Sequence, residues 1–359
     1  MLQTKPNNTS TDAPVLDVFA RRHQRRILTF VTLGVVLALA VIASLILGQF
    51  YVPPERLPDI LAAGRDGAKA LGLAANVVWE IRIPRILLGL LVGAALGVAG
   101  TLMQAVFANP LAEPSIIGVT SGAGVGAALV IVFNISVLGT FTVPAGGFLS
   151  AVIVTLIIYQ LARSQGKVSV VNLILTGIAI NAVCGAIISF TVYLAPTTNR
   201  EQIIFWQMGS LNGAQWKHVW VVLPIIIVDS LIAFSLGRQL DVLALGERAA
   251  SHTGIDVARL RIAAIAASTV LTAGAVSFAG LIGFVGLIVP HLLRTITGPE
   301  NKVLLPASAL AGAVLISLAD VAARTTIPFA DLPIGIFTAL VGGPTFFFLL
   351  RRMMRKGIR

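Results

Sequence analysis

Between Ile262 and Leu293 the chain carries no Asp, Glu, Lys or Arg. At about 1.5 Å rise per residue this run would extend about 48 Å as one helix. The hydrocarbon core of a bilayer is only about 30 Å thick, and about 20 residues cross it. The run is too long for one straight span and slightly short for two. Gly274, Gly280, Gly283 and Gly286 supply points where it can break and turn back, Pro290 and His291 stand near its exit, and Arg294 closes it as an interfacial anchor. Non-helical backbone at membrane depth persists only where protein or a water-filled cavity satisfies its polar groups. The run therefore predicts a broken hairpin inside a bundle, beside a cavity or a moving joint. The plainer alternative is a glycine-rich hairpin that only packs closely.

The remaining chain agrees with a membrane solvent. It is 57% hydrophobic and 11% charged, which excludes the ordinary soluble classes. The net charge of +11 is explained by basic residues on the inner side of a membrane, without invoking nucleic acid. A single cysteine, Cys184, excludes a disulfide within the chain. The expected architecture is an all-α polytopic protein of about ten transmembrane helices. Spans fall at about 27–50, 85–105, 115–135, 141–162, 169–194 and 219–237, two arise from the uncharged run, and the last lie at about 303–323 and 332–350. With both termini cytoplasmic, 18 of the Lys and Arg residues lie inside and 8 outside, as the positive-inside rule requires. Residues 1–26 are then a polar, basic cytoplasmic tail without fixed structure, 27–350 a single ten-span membrane domain with a cytoplasmic loop at about 238–261, and 351–359 a second basic tail. Ala99, Gly100 and Pro110 recur 180 residues later as Ala279, Gly280 and Pro290. That echo suggests an inverted repeat of spans 2–5 and 7–10.

Few residues stand out as chemistry. Gly89, Gly93 and Gly97 repeat every four residues on one helix face, which favours close helix packing. The segment from Leu240 to Asp256 mixes Leu240, Leu243, Leu245, Gly246, Ala249 and Gly254 with Asp241, Glu247, Arg248 and Asp256. It is too polar to span, and its acids argue against an anionic lipid surface and for docking in a soluble partner's groove. Gly246 and Gly254 are placed to end short helical pieces. Asp229 is an isolated charge in a span, read as a capped structural group ahead of a relay; Asp320 and Arg324 are spaced to pair on one helix face. Arg82, Arg85 and Arg324 sit at the outer interface, as ordinary anchors or as a receptor for carboxylates. The sole Gly-Lys pair, Gly166-Lys167, is not part of a phosphate-binding loop, so the chain is expected to hydrolyse no ATP itself. His23, His218, His252 and His291 lack ligand spacing, and no metal site or catalytic constellation is expected.

Several motifs, in order, carry a family resemblance: RIPR at 82–85, AGTLMQAVFANPLAEPSIIGVTSGAG at 99–124, LTGIAIN at 175–181, FWQMGSLNGAQW at 205–216, LALGERAASHTG at 243–254, AGAVSFAGLIGFVGLIVPHLLR at 273–294 and DLPIGIFTALVGGPTFFFLL at 331–350. Over residues 27–350 the chain resembles the membrane permease subunits of ABC importers for iron chelates and vitamin B12. The resemblance implies a homodimer with the substrate path between subunits. Two cytoplasmic ATPase subunits, which use ATP and Mg, would dock on the 240–254 segment, through Leu240, Leu243, Leu245, Gly246, Glu247, Arg248, Ala249 and Gly254. An extracytoplasmic binding protein would meet Arg82, Arg85 and Arg324. Gly280, Gly283, Gly286, Pro290, Asn109 and Pro110 would serve the pathway and its gating, and no cofactor would be bound by the chain itself. Haem leads ferric siderophore as the implied substrate, with cobalamin third. An ion-coupled transporter using Asp229 and Asp320 is the rival class. Two departures stand out: the N-terminal extension is long, and Asp331 stands where Glu is usual.

Overall fold

A computed structural model describes residues 13–164 and 167–357. Positions 1–12 and 358–359 of the expected tails lie outside the described residues. Apolar runs rich in Leu, Val, Ala and Ile satisfy their own backbone as helices, the solution that a lipid solvent demands. The main helices are α1 (Ala13–Ile46), α2 (Ile83–Val106), α3 (Val119–Val132), α4 (Thr142–Leu161), α5 (Val170–Leu194), α6 (Thr197–Gln207), α7 (Trp216–Leu243), α8 (Glu247–His252), α9 (Val257–Ala279), α10 (Val285–Thr297), α11 (Asn301–Thr325) and α12 (Ile334–Gly357). A helix stands at each of the ten expected span positions. By length and composition seven helices among the described residues can cross a membrane, and Val119–Val132, Val285–Thr297 and Ile334–Phe348 are shorter apolar helices.

Three expectations need correction. Residues 13–26 are not a loose tail but the first turns of α1. The segments at 51–84 and 195–218, read only as polar connections, contain helix. The first includes a π-helical stretch, Val77–Arg82, leading into α2, and the second contains α6. The third span is shorter than 115–135, because Pro114–Ile117 is a single 3₁₀ turn ended by Gly118 at φ +77°.

Enclosed α2 and α9 form the centre, while α1 and α5 leave large apolar side chains exposed on the outer surface. The glycine face of α2 explains this centre. A Cβ at Gly93 would overlap the Gly312 backbone, one at Gly97 the Ser308 carbonyl, and one at Gly100 the Gly286 carbonyl. Small residues thus bring α2, α10 and α11 to backbone contact, where dispersion contacts and short polar ties hold helices together in lipid. Thr101 Oγ1 donates to Ser308 Oγ at 2.9 Å, and Ser268 Oγ to the Ala99 carbonyl at 3.2 Å.

At the interface, Trp79, Trp216 and Trp220 stack in series with centroids 6.5 and 6.1 Å apart. Trp79 Nε1 donates to the Ile60 carbonyl and Trp216 Nε1 to the Trp79 carbonyl, fastening the 51–82 segment to α7. At the opposite end of α1, Arg26 Nη2 and Arg22 Nη1 lie 2.6 and 3.6 Å from Glu300 Oε1, and Arg26 Nε donates to the Thr297 carbonyl at 3.1 Å. The hydrogen bond from Arg26, with the charges of Arg26, Arg22 and Lys302, holds the Glu300 carboxyl below its ordinary range. A depressed folded-state pKa stabilises above the unfolded value and is lost as pH falls through the folded one. Thermal stability of Glu300→Gln should therefore lie about 0.2–1 kcal/mol below the parent at neutral pH, as for a solvent-exposed pair. The two should converge below the ordinary glutamate range. Equal melting curves at neutral pH would show that the tie contributes nothing.

Candidate functional site: an inner docking segment, a broken helix and a buried arginine cluster

The connection between α7 and α9 leaves the bundle only briefly. Leu240 and Leu243, expected to face a partner, are buried in the last turns of α7, so they are corrected to core positions. The exposed part runs from Leu245, 78% accessible, through Gly246, Glu247 and Arg248 to Gly254, with Ala249 half-buried. Gly246 at φ +115° turns the chain into α8, and Gly254 at φ +84° turns it out again. Both values suit glycine alone among common residues. Glu247 Oε1 accepts from Arg261 Nη2 at 2.6 Å, pinning α8 to α9, and Asp256 caps α9 by accepting from Arg259 N. Asp241, at the end of α7, accepts from the backbone of Asn301 and Lys302, so α7 also holds the start of α11.

The uncharged run breaks where its glycines predicted. Helix α9 ends at Ala279, Gly280 takes φ +70°, Phe284 takes φ +69°, and α10 begins at Val285. Gly274 stays within the helix, and Gly283 has open space where a Cβ would stand. The break is knitted to two other irregular stretches. Ser210 N donates to Ala279 O at 2.7 Å, Leu281 N to Trp206 O at 3.4 Å, and Ile334 N to Gly209 O at 2.9 Å. A Cβ at Gly280 would overlap the Trp206 carbonyl, and one at Gly335 the Met208 carbonyl. The QMGS, GLIG and DLPIG motifs thus form one backbone knot.

Pro290 does not mark an exit: it is buried in the middle of α10, where it cannot donate to Gly286. Gln104 Nε2 compensates from α2, reaching the Gly286 and Leu287 carbonyls at 3.5 and 3.1 Å. Gln104 was not singled out by sequence reasoning; a proline inside a predicted helix was the available signal. Asn109 Oδ1 accepts from Leu111 N at 2.9 Å and shapes the turn after α2, while His291 of α10 approaches the Pro110 carbonyl. Two cavities flank the break. One of about 530 Å³ is walled by Phe205, Trp206, Phe278 and Gly280, with Glu201, Gln202 and Asn212 as polar groups. The other, about 150 Å³, is lined by Glu113, Thr120, Thr272 and Gly286.

The three arginines are brought together, but not as an exposed receptor. Arg82, Arg85 and Arg324 are 3%, 5% and 6% accessible. Arg85 Nε donates to Asp320 Oδ1 at 2.8 Å and Arg85 Nη1 to Asp331 Oδ2 at 2.9 Å. Arg324 Nε lies 3.1 Å from Asp320 Oδ2, the expected pair on one helix face, and Arg324 Nη2 donates to Ser44 Oγ at 2.6 Å. Arg82 donates to the carbonyls of Leu45, Ile46 and Phe50. The residues missed by sequence reasoning are Ser44 and Asp331 as partners, because no local spacing links them to Arg324 and Arg85. Asp229 is buried in α7 and one of its oxygens has no hydrogen-bond partner. Asp320 is held between two guanidiniums and is not available as a relay. No cluster of His, Cys, Asp and Glu suited to a metal occurs among the described residues.

Comparison with known proteins places this geometry. The chain is 38% identical over 313 residues to the hemin transport system permease protein HmuU of Yersinia pestis, covering 83% of this chain and 93% of that one. It is 43% identical over 279 residues to the cobalamin import system permease protein BtuC of Halobacterium salinarum, covering 77% and 74%. With the vitamin B12 import system permease protein BtuC of Salmonella typhimurium it shares 37% over 338 residues, covering 94% and 99%. Among solved structures it superposes with a TM-score of 0.79 at 32% identity on a transporter assigned to the metal-chelate ABC type, in an inward-facing conformation. That match covers 90% of this chain and 99% of the other. A more distant likeness, TM-score 0.55 at 14% identity over 81% and 94%, joins it in fold alone to PsaBC from Streptococcus pneumoniae. Residues 36–352 match the FecCD transport family, and with that span the chain belongs to this family: it is a multi-pass membrane permease of the ABC importers for iron chelates and vitamin B12, whose ATPase is a separate partner.

Proposed function

We propose that this permease imports an iron chelate, haem ahead of a ferric siderophore, with cobalamin as the alternative cargo. It works as a homodimer with two cytoplasmic ATPases and an extracytoplasmic binding protein, and binds no cofactor of its own; ATP and Mg belong to the ATPases. The observation that carries this reading is the exposed excursion from Leu245 to Gly254. It stands between α7 and α9 and is pinned to α9 through Glu247 and Arg261, directly after the turn of α7 whose Asp241 holds the start of α11. A partner that closes on ATP and grips α8 would move the helix that ends at the break. Gly280, Gly283 and Gly286 would then change the pathway's access, with Pro110, in the turn that Asn109 shapes, bracing α10 through His291. The ion-coupled rival retains only Asp229, since Asp320 is spent on Arg85 and Arg324.

The test is uptake by vesicles holding the permease and its co-expressed ATPase. Haem, a ferric siderophore and cobalamin are supplied in parallel, each with its binding protein. Uptake of one cargo that requires ATP supports the reading and names the substrate; uptake driven by an ion gradient alone overturns it. Glu247→Arg should reduce uptake about tenfold, equivalent to about 1.4 kcal/mol of coupling, with little change in melting temperature. Combining it with Arg261→Glu separates two roles. Recovery in the double variant would mean that the pin to α9 is what matters; no recovery would mean that Glu247 itself touches the ATPase. Full uptake in Glu247→Arg would remove α8 from the coupling path.

A further inference from the structure

We infer that Asp331 is an internal competitor for the carboxylate that the binding protein brings to Arg85, and that its displacement is felt at the helix break. This rests on the proposed binding-protein partner and on its docking at Arg82, Arg85 and Arg324, which the family resemblance implies. In the observed state those arginines cannot be a ready receptor, because each is buried and bonded within the chain. Docking therefore has to be an exchange of partners.

The Arg85 guanidinium is set up for such an exchange. Its Nε edge is fixed on Asp320, a residue of α11 that is itself held by Arg324 and 3% accessible at its side chain. Its outer end is different. Nη1 is bonded to Asp331, whose side chain is 23% accessible, and Nη2 is buried with no hydrogen-bond partner. An incoming carboxylate that takes Nη1 and Nη2 together forms the bidentate pairing for which a guanidinium is shaped. One hydrogen bond is given up and two are made. Charge favours the same direction. Three arginines share two carboxylates here, Asp320 and Asp331, and Arg82 is satisfied by carbonyls alone. The fitting partner is an acidic protein surface, and its carboxylate must outcompete Asp331 rather than fill an empty site.

Asp331 also stands where its release has a consequence. It lies in the irregular stretch between α11 and α12. The next residue, Leu332, donates its N–H to the Ala323 carbonyl, and Ile334 donates to the Gly209 carbonyl. Gly335 packs on the Met208 and Leu281 carbonyls. Arg85 bonds Asp331, Ile334 three residues further along the same stretch bonds Gly209, and Gly209 packs on the Leu281 carbonyl, so one short length of chain links the arginine cluster to the break in the uncharged run. Loss of the Arg85 bond loosens the strand of backbone that braces this knot.

The experiment titrates permease nanodiscs with the substrate-free binding protein of the same transport system, at low and high salt. Asp331→Asn should bind about tenfold tighter than the parent, a gain of about 1.4 kcal/mol, and Arg85→Lys should bind more weakly. A second readout uses the otherwise unaltered chain carrying Ser210→Cys, with the buried Cys184 replaced by serine. Labelling of position 210 by a water-soluble maleimide should accelerate when the binding protein docks, and should already be fast in Asp331→Asn. If affinity depends on salt and falls in Arg85→Lys, yet Asp331→Asn is no tighter and docking leaves labelling unchanged, the competitor is overturned while arginine docking stands. If neither salt nor Arg85→Lys alters affinity, the docking role itself fails and the competitor with it. Should Asp331→Asn not fold, unchanged labelling on docking is sufficient to overturn the inference.

Discussion

Asp320→Asn is expected to destabilise the permease by about 3–5 kcal/mol, the usual consequence of stranding a buried charge. The parent carboxylate serves two guanidiniums at once, at 2.8 Å from Arg85 Nε and 3.1 Å from Arg324 Nε, and all three residues are at most 6% accessible. An asparagine keeps the volume and removes the charge. Arg85 then keeps only Asp331, and Arg324 keeps only Ser44. The check is thermal unfolding of detergent-solubilised protein. The double variant Asp320→Asn/Arg324→Gln deletes one of the stranded charges and should lose less than the single variant. With Arg324→Gln alone measured as well, a double-variant loss equal to the sum of the two single losses would mean that the two side chains do not interact energetically, and the cluster would have to be reinterpreted as ordinary packing.

Gly97→Ala is expected to cost about 3 kcal/mol, the upper end of the over-packing range, although it adds one methyl group. That methyl group would overlap both the oxygen and the carbon of the Ser308 carbonyl. Backbone on a neighbouring helix cannot rotate aside as a side chain can, so α2 and α11 must separate. The control is the same exchange at Gly34 in α1, where the structure has nothing within 4 Å of the added atom. There alanine should stabilise by up to about 1 kcal/mol through helix propensity. Opposite signs for one chemical change would separate contact from propensity. A small loss at Gly97 would show that the interface between α2 and α11 yields easily.

Much of this was legible in the sequence because a membrane solvent leaves few options. The uncharged run had to break, and its glycines marked the place to within a few residues. Gly246 and Gly254 announced a compact excursion between two helices. The i,i+4 spacing of Asp320 and Arg324 predicted their pair. What failed to show follows from the same physics. The arginines were legible as charges but not as buried ones, because their partners Ser44, Asp320 and Asp331 come from three separate parts of the chain. Leu240 and Leu243 read as part of a docking segment, since composition cannot say where α7 stops and its connection begins. The helical start of α1 was hidden by its polarity; the tertiary tie of Arg22 and Arg26 to Glu300 anchors it. Glycines 93 and 97 were legible as a packing face, but their partner helix was not visible from α2 alone.

The knot at the break carries one further consequence. Residues 206–210, 279–281 and 334–335 are distant in the chain, yet each supplies hydrogen-bond donors, acceptors or close backbone contacts to another. None of the three can peel away while its neighbours stay in register, because a donor or acceptor would be left unpaired where little else can satisfy it. Their amide protons therefore belong to a single cooperative opening unit, which lets go as a whole or not at all. Motion at the centre of this permease is then closer to a latch with two settings than to a gradual flexing of three loops.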